Sequence, residues 1–208
     1  MKLYSYFRSS AAFRTRIALN LKGLDYEQVA INLLNGEQNE QEYKAVNPMG
    51  LVPALGTEEG VLGQSLAIIE WLDETYPEPA LLPKLGWEKA QTRAMAYGIA
   101  CDIHPLNNSR VLKYLQNDLS QSEEAVTTWY YHWIAKSFEA LEQQVEATPF
   151  CVGNTPTLAD ICLIPQVKNA KRFAMDLSPF PKILGIWDHC MTLDAFIQAA
   201  PESQPDKG

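Results

Sequence analysis

The chain has 208 residues, 47% of them apolar by type, which excludes a disordered polypeptide and leaves room for one large domain or two small ones. Its 17 basic and 25 acidic residues give a formal charge of −8, so the surface as a whole repels nucleic acid and anionic membrane, and no basic face stands out. Cys101, Cys151, Cys162 and Cys190 are widely spaced and form no CxxC pair, the pattern of reduced thiols in a cytoplasmic protein rather than of disulfide partners or metal ligands. The start MKLYSYF turns polar at RSS without a signal-peptide core, and no uninterrupted apolar stretch of membrane length follows. Cytoplasm is the expected compartment.

Lys2–Tyr6 reads as a short aromatic-rich strand. Phe7-Arg8-Ser9-Ser10 then turns into a helix over AAFRTRIALNLKG, with Lys22 suited to its last turn and Gly23 as its breaker. Ser9 and Ser10 admit two readings: helix caps with no chemical duty, or hydroxyls that donate to an anionic sulfur beside the positive helix end. Tyr26–Ile31 is the next strand, and Asn39–Val46 a short helix after the polar Asn35-Gly36 segment.

The stretch NPMGLVPALGTEEGVLGQSLAIIEWLDETY organises this half of the chain. A turn at Asn47–Gly50 leads into Val52-Pro53-Ala54-Leu55, and a second turn through Glu58, Glu59 and Gly60 leads to Val61-Leu62, together a hairpin. Pro53 cannot donate to a ladder, so it belongs at an edge or a strand start, and Val52-Pro53 is a candidate cis peptide. The backbone N–H and C=O of Val52 are then left to pair with an extended peptide-like ligand. Ser65 stands at the N-cap or first turn of a long apolar helix, where free N–H groups meet a carboxylate; Gln64 adds an amide. The order β-α-β-α-β-β-α makes a mixed four-stranded sheet with helices on both faces. Pro77 and Pro79 end this domain, expected over 1–79, and 80–86 is a linker.

An all-helical domain is expected over 87–200, with a flexible tail over 201–208. Its first helix begins at Trp87 and draws Ala94, Tyr97, Ile99, Cys101 and Ile103 toward a core. Pro105 interrupts it, opening space around Asp102, His104, Asn107, Asn108 and Arg110, which fit a polar seam or a site. Ser122–Glu146 carries a stripe with Trp129 and Trp133 as packing anchors. Thr157 and Asp160 have capping-box spacing, so Asp160 reads as a structural carboxylate. Lys171 and Arg172 close the next helix, and either complements a helix terminus or, for Arg172, reaches an acid-binding cleft.

The segments MKLYSYFRSS, NPMGLVPAL, GQSLAIIEWL, ACDIHPLNN, GNTPTLADICLIPQ and NAKRFAMDLSPFPKI, in this order, resemble the zeta class of glutathione transferases, the branch containing maleylacetoacetate and maleylpyruvate isomerases. The resemblance covers essentially the whole chain. It implies a thioredoxin-like α/β domain followed by an all-α domain, a homodimer, and glutathione as cofactor. It also implies Pro53 as the family's cis proline, Val52 pairing with the cysteinyl part of glutathione, and Gln64 and Ser65 at the γ-glutamyl part. Ser9, with Ser10 beside it, is placed near the sulfur, and Asp102, His104 and Asn108 near glutathione. Arg8, Arg110 and Arg172 are implied to hold the carboxylates of a small dicarboxylate substrate, with no metal involved.

Many zeta enzymes carry a cysteine directly after the two serines, where this chain has Ala11. That makes thiol-transfer chemistry less plausible while leaving intact a reaction in which glutathione supplies the sulfur. The implied reaction is thiolate addition to an alkene conjugated to a ketone and carboxylate, rotation about the resulting single bond, and elimination to the trans acid. The alternative is a related transferase acting on another small electrophile such as an α-halo acid.

Overall fold

A computed structural model describes residues 1–207 as two compact units, Met1–Leu81 together with the chain from Met191 onward, and Leu82–Cys190. In the first unit the elements run β1 (Lys2–Ser5), α1 (Ser10–Leu21), β2 (Glu27–Ala30), α2 (Gln41–Val46), β3 (Ala54–Gly56), β4 (Val61–Gly63) and α3 (Ser65–Thr75), with a 3-10 turn at Glu37–Asn39 ahead of α2. The sheet order is β2-β1-β3-β4. β1 lies parallel to β2 and antiparallel to β3, and β3 pairs antiparallel with β4. This is the order of elements expected from the sequence.

Leu3 and Ser5 share the buried face of β1, as strand alternation requires. The presence of Ser5 there is explained by α1, which is buried along nearly its whole length and carries Arg14, Thr15 and Arg16 into the interior with Phe13, Ile17 and Leu19. The Arg16 guanidinium donates to Ser5 Oγ at 2.9 Å, to Phe7 O at 3.1 Å and to Ala199 O at 2.8 Å. Burial pulls its pKa down to about 10 against the opposing pull of Tyr26 and Asp206, so it remains a cation at neutral pH.

Lys22 does more than complement the end of α1. Its Nζ donates to Asp73 Oδ1 at 2.7 Å, to Tyr76 O at 2.7 Å and to Pro79 O at 2.6 Å, and its side chain is fully buried. Asp73 Oδ1 also accepts from Leu81 N–H. One ammonium thus ties the end of α1 to the exit of α3 and the chain that follows it.

The C-terminal boundary expected at Ala200 and the flexible tail beyond it are both corrected. The last helix, Asp194–Ala199, packs on α1 and belongs to the first unit, because Arg16 and Asn20 donate to its carbonyls at Ala199 and Ala195. Pro201–Ser203 forms a 3-10 turn, and the buried Gln204 donates to Gln198 O and Ala200 O. Asp206 accepts from Phe7 N–H and from Gln28 Nε2, each at 2.9 Å. Gly208 lies outside the described residues.

The second unit contains α4 (Gly86–Tyr97), a π-helical turn at Gly98–Ile103, α5 (Ser109–Lys113), a second π-helical turn at Tyr114–Asp118, α6 (Glu123–Gln144), α7 (Leu158–Arg172) and α8 (Pro181–Cys190); the helix that packs on α1 is α9. The buried stripe of α4 and the turn after it is Thr92, Met95, Ala96, Ile99 and Ile103, whereas Ala94, Tyr97 and Cys101 face solvent. In α6, Tyr130, Ile134, Phe138 and Leu141 are buried at helical spacing, and Trp129 anchors through Nε1 to Leu106 O at 2.9 Å.

α7 is buried on all sides from Leu158 to Val167, with Pro165 inside it. Its start is held by Asp160, which accepts from Thr157 N–H at 2.8 Å, Thr157 Oγ1 at 2.9 Å and Cys151 N–H at 2.7 Å. Burial raises the Asp160 pKa, and these hydrogen bonds oppose that rise. Asp160 is the structural carboxylate that its spacing suggested. No helix among the described residues is long and apolar enough to cross a membrane.

Replacing Lys22 with Met should cost about 3 kcal/mol, because Asp73 and two carbonyl oxygens lose a fully desolvated donor. Urea unfolding followed by circular dichroism measures it; a loss near zero would show that water replaces the ammonium freely.

Candidate functional site

The register of the sheet brings three segments to one end of the first unit. Tyr4 lies opposite Ala54, and Ala54 opposite Gly63. The chain leaving β1 (Phe7–Ser10), the chain entering β3 (Val52-Pro53) and the chain leaving β4 (Gln64-Ser65) therefore share that end.

Ser9 is the N-cap of α1: its extended backbone begins the helix, and its Oγ accepts from Ala12 N–H at 3.2 Å. Its own N–H donates to Tyr6 O, closing the turn. One oxygen lone pair is thereby used by the helix, and the hydroxyl proton is left to donate elsewhere. The two readings of Ser9 are thus compatible in one conformation. Ser10 is the first helical residue and is buried. Arg8 is exposed, with its guanidinium 4.9 Å above the Phe7 ring.

The expected turn at Asn47–Gly50 is built by the side chains of Asn47 and of Tyr43, to which the sequence alone assigned no role. Tyr43 Oη and Asn47 Nδ2 both donate to Leu51 O at 2.7 Å, while Asn47 Oδ1 accepts from Met49 N–H. Burial pushes the Tyr43 hydroxyl up to about 12, with Asn47 pulling the other way, so it stays a donor. Gly50 has φ +60, and a Cβ there would sit 2.8 Å from Gln38 O, so only glycine fits. An Asn-Pro-x-Gly string signals such an Asx turn and could have identified Asn47. Val52-Pro53 is cis. No described residue pairs with the Val52 N–H or C=O outside the sheet, leaving a main-chain donor and acceptor beside β3.

Gln64 is a non-glycine residue at φ 68, ψ 114, a sparsely populated conformation that persists where the surroundings impose it. It is the N-cap of α3, without a side-chain cap, and Ser65 is the first helical residue rather than the cap. The first intrahelical bond is Ile68 N–H to Gln64 O, so the N–H groups of Ser65, Leu66 and Ala67 have no intrahelical partner. No acidic side chain stands in this first turn. Such an end accommodates a carboxylate.

In the second unit, Asp102 is exposed within the first π-helical turn, a geometry that favours functional positions. His104 is half-buried, with Nε2 3.5 Å from Asn108 Nδ2. Asn108 Oδ1 accepts from Arg110 N–H and caps α5, so its oxygen has a structural duty; Asn107 donates instead to Tyr130 O. Arg110 is exposed, as is Arg172 at the end of α7, whose guanidinium lies 4.9 Å above the Phe173 ring. Ion pairs such as Lys2–Glu27 and Lys22–Asp73 do not involve Arg8, Arg110 or Arg172, and among the described residues no carboxylate engages these three guanidinium groups. No group of three or more His, Cys, Asp or Glu among those residues is placed to hold a metal ion. None of the four cysteines forms a disulfide.

Comparison with known proteins agrees with this geometry. The family models for the glutathione S-transferase N-terminal and C-terminal domains match residues 3–80 and 108–194. The chain is 51% identical to a probable maleylacetoacetate isomerase of Vibrio cholerae, over 98% of this chain and 97% of that protein. Its fold is similar to the holo structure of a zeta-class bacterial maleylpyruvate isomerase, at 48% identity, a TM-score of 0.97 and full coverage of both chains. It is similar also to a maleylacetoacetate isomerase of Methylobacterium extorquens solved with malonate and glutathione, at 37% identity, a TM-score of 0.95 and full coverage of both chains.

Gln64→Gly should relax the backbone at that position and stabilise the fold by about 1 kcal/mol. Urea unfolding reads the effect; a variant that is no more stable would show that Gln64 stores no strain.

Proposed function

Because the chain belongs to the glutathione S-transferase family, in the zeta-class branch of maleylacetoacetate and maleylpyruvate isomerases, we propose that it converts maleylpyruvate or maleylacetoacetate to the trans acid with glutathione as cofactor. The observation that carries the reading is the single end of a sheet that offers a peptide donor and acceptor at Val52, an open helix terminus at Ser65 and a hydroxyl proton at Ser9. A γ-glutamyl tripeptide thiol fits that set: a carboxylate for the start of α3, a peptide for Val52 and a sulfur for Ser9.

Glutathione, when bound, supplies a thiolate that adds to the conjugated alkene and leaves again once the carbon–carbon bond has turned. The residues of this chain place it and bear charge. Gln64 and Ser65 hold the γ-glutamyl group, and Val52 beside Pro53 fixes the direction of the peptide. Ser9 donates its proton to the sulfur, with Ser10 and the start of α1 favouring the same negative charge. By the family resemblance, Asp102, His104 and Asn108 are further candidates for contact with glutathione. By the same resemblance, Arg8, Arg110 and Arg172 take the carboxylates of the dicarboxylic acid and the enolate charge; guanidinium groups that no carboxylate engages are able to make planar two-point contacts. Those contacts act at a few ångströms, whereas the net charge of −8 is spread over the surface and screened beyond roughly 10 Å.

A homodimer in the cytoplasm belongs to the same reading. Met49 and Val61, both exposed, are apolar surface that a second copy would cover. Light scattering at assay concentration reads the mass, and a monomer would count against the assembly.

The test is a side-by-side spectrophotometric assay of both cis acids with and without glutathione, with an α-halo acid as control. Turnover of at least one acid only in the presence of glutathione is expected, and equal turnover without it would refute the reaction. In the same assay Ser9→Ala should lower kcat roughly a hundredfold by raising the bound thiol pKa. Arg172→Ala should chiefly weaken handling of the dicarboxylate, by roughly tenfold in kcat/KM; unchanged kinetics would remove its role.

A further inference from the structure

The peptide groups of Phe7 are gripped from two directions. Its N–H donates to Asp206 Oδ2 at 2.9 Å, and its C=O accepts from Arg16 at 3.1 Å. Phe7 directly precedes Arg8 and Ser9, and its ring carries the Arg8 guanidinium at 4.9 Å. The other Asp206 oxygen accepts at 2.9 Å from Nε2 of Gln28, a residue of the β2 strand that pairs with β1. The segment that delivers Asp206 is itself anchored, by the buried Gln204 on Gln198 O and Ala200 O and by Lys207 N–H on Gln204 O. Asp206 is also a carboxylate whose charge acts on buried Arg16. A bond spanning 199 residues thus ends on the peptide just ahead of the proposed sulfur-activating serine.

We propose that Asp206 is a positioning residue for the reaction: from behind the β1–α1 turn, its carboxylate and Arg16 clamp the two sides of Phe7 and so aim Ser9 and Arg8. The proposal rests on the reading of Ser9 as the hydroxyl that faces the glutathione sulfur. Asp206 itself touches neither cofactor nor acid. Its effect is geometric: Ser9 is tied to Tyr6 O and to the amides of Ala12 and Phe13, whereas the Phe7 peptide ahead of it is held by Asp206 and Arg16, and a hydroxyl that donates to a sulfur loses effect with small displacements. Asparagine at 206 retains one oxygen for the Phe7 N–H, and Gln28 can turn its amide to suit the new NH₂ group. Alanine retains nothing.

The experiment compares wild type, Asp206→Asn and Asp206→Ala at a temperature well below melting. Three quantities are read: ultraviolet titration of the thiolate in the glutathione complex, hydrogen exchange of the Phe7 amide in the cofactor-free protein, and affinity for S-methylglutathione, which has no ionisable thiol. Asp206→Ala should raise the bound thiol pKa by about one unit, lower kcat roughly tenfold and speed Phe7 exchange at least about tenfold, with S-methylglutathione binding within about twofold of wild type. Asp206→Asn should restore most of each. Should the alanine variant fail to fold, Asp206→Ser, too short to span the same gap, supplies the comparison. A thiol pKa unchanged in a folded variant would overturn the proposal and leave Asp206 a packing residue. Absence of any bound thiolate in the wild type would instead sink the reading of Ser9, and this inference with it.

Discussion

The first unit is assembled around a buried cation that has no carboxylate in direct contact. The donors of Arg16 that grip the fold end on Ser5 Oγ and on the carbonyls of Phe7 and Ala199, one on β1, one on the turn after it, and one at the end of the last helix. An unpaired charge in an apolar interior is expensive, and what makes it tolerable is that main-chain dipoles already fixed by secondary structure are aimed at it. The constraint is mutual. The strand, the turn and the terminal helix must be in place together for the guanidinium to be satisfied, which is why a chain segment nearly two hundred residues away in sequence is part of the thioredoxin-like unit. Lys22, at the C-terminal end of α1, is a second buried cation, but it does have a carboxylate partner, and it joins Asp73 to the carbonyls of Tyr76 and Pro79.

What was legible in the sequence were the features governed by local chemistry. The aromatic strand, the proline at the start of β3, the polar Gly-containing hairpin and the apolar helix after Ser65 each announce themselves within a few residues, and so does the Thr157–Asp160 cap. The positions of Ser9, Val52, Gln64 and Ser65 followed from these elements and from the family resemblance. Arg16, Lys22 and Asp206 were not legible, because arginine, lysine and aspartate in a periodic or terminal stretch carry the signature of solvated residues, and only tertiary partners reveal otherwise. The π-helical turns were equally hidden. The first lies just ahead of Pro105, which cannot continue an ordinary helix, and the buried residues of α4, which precedes it, are Thr92, Met95 and Ala96.

Polar groups in this protein divide into those already satisfied and those held open. Asp160, Asn47, Tyr43 and Asn108 are spent on backbone N–H groups or carbonyls, and burial moves the Asp160 and Tyr43 pKa values in the direction that favours their uncharged forms. The main chain of Val52, the first turn of α3 and the guanidinium groups of Arg8, Arg110 and Arg172 are left without protein partners of that kind. The open set consists of donors and positive charge, apart from one carbonyl. That bias suits an acidic peptide and an acidic substrate on a protein whose total charge is negative.

The hydroxyl at position 9 has one further consequence. Because an α1 amide occupies one lone pair of its oxygen, its proton is turned away from the helix before a ligand arrives. Fraying of that opening turn would release the oxygen, let the rotor spin and disarm the sulfur long before the sheet itself came apart. Heat would then silence this enzyme at a lower temperature than the one that melts it.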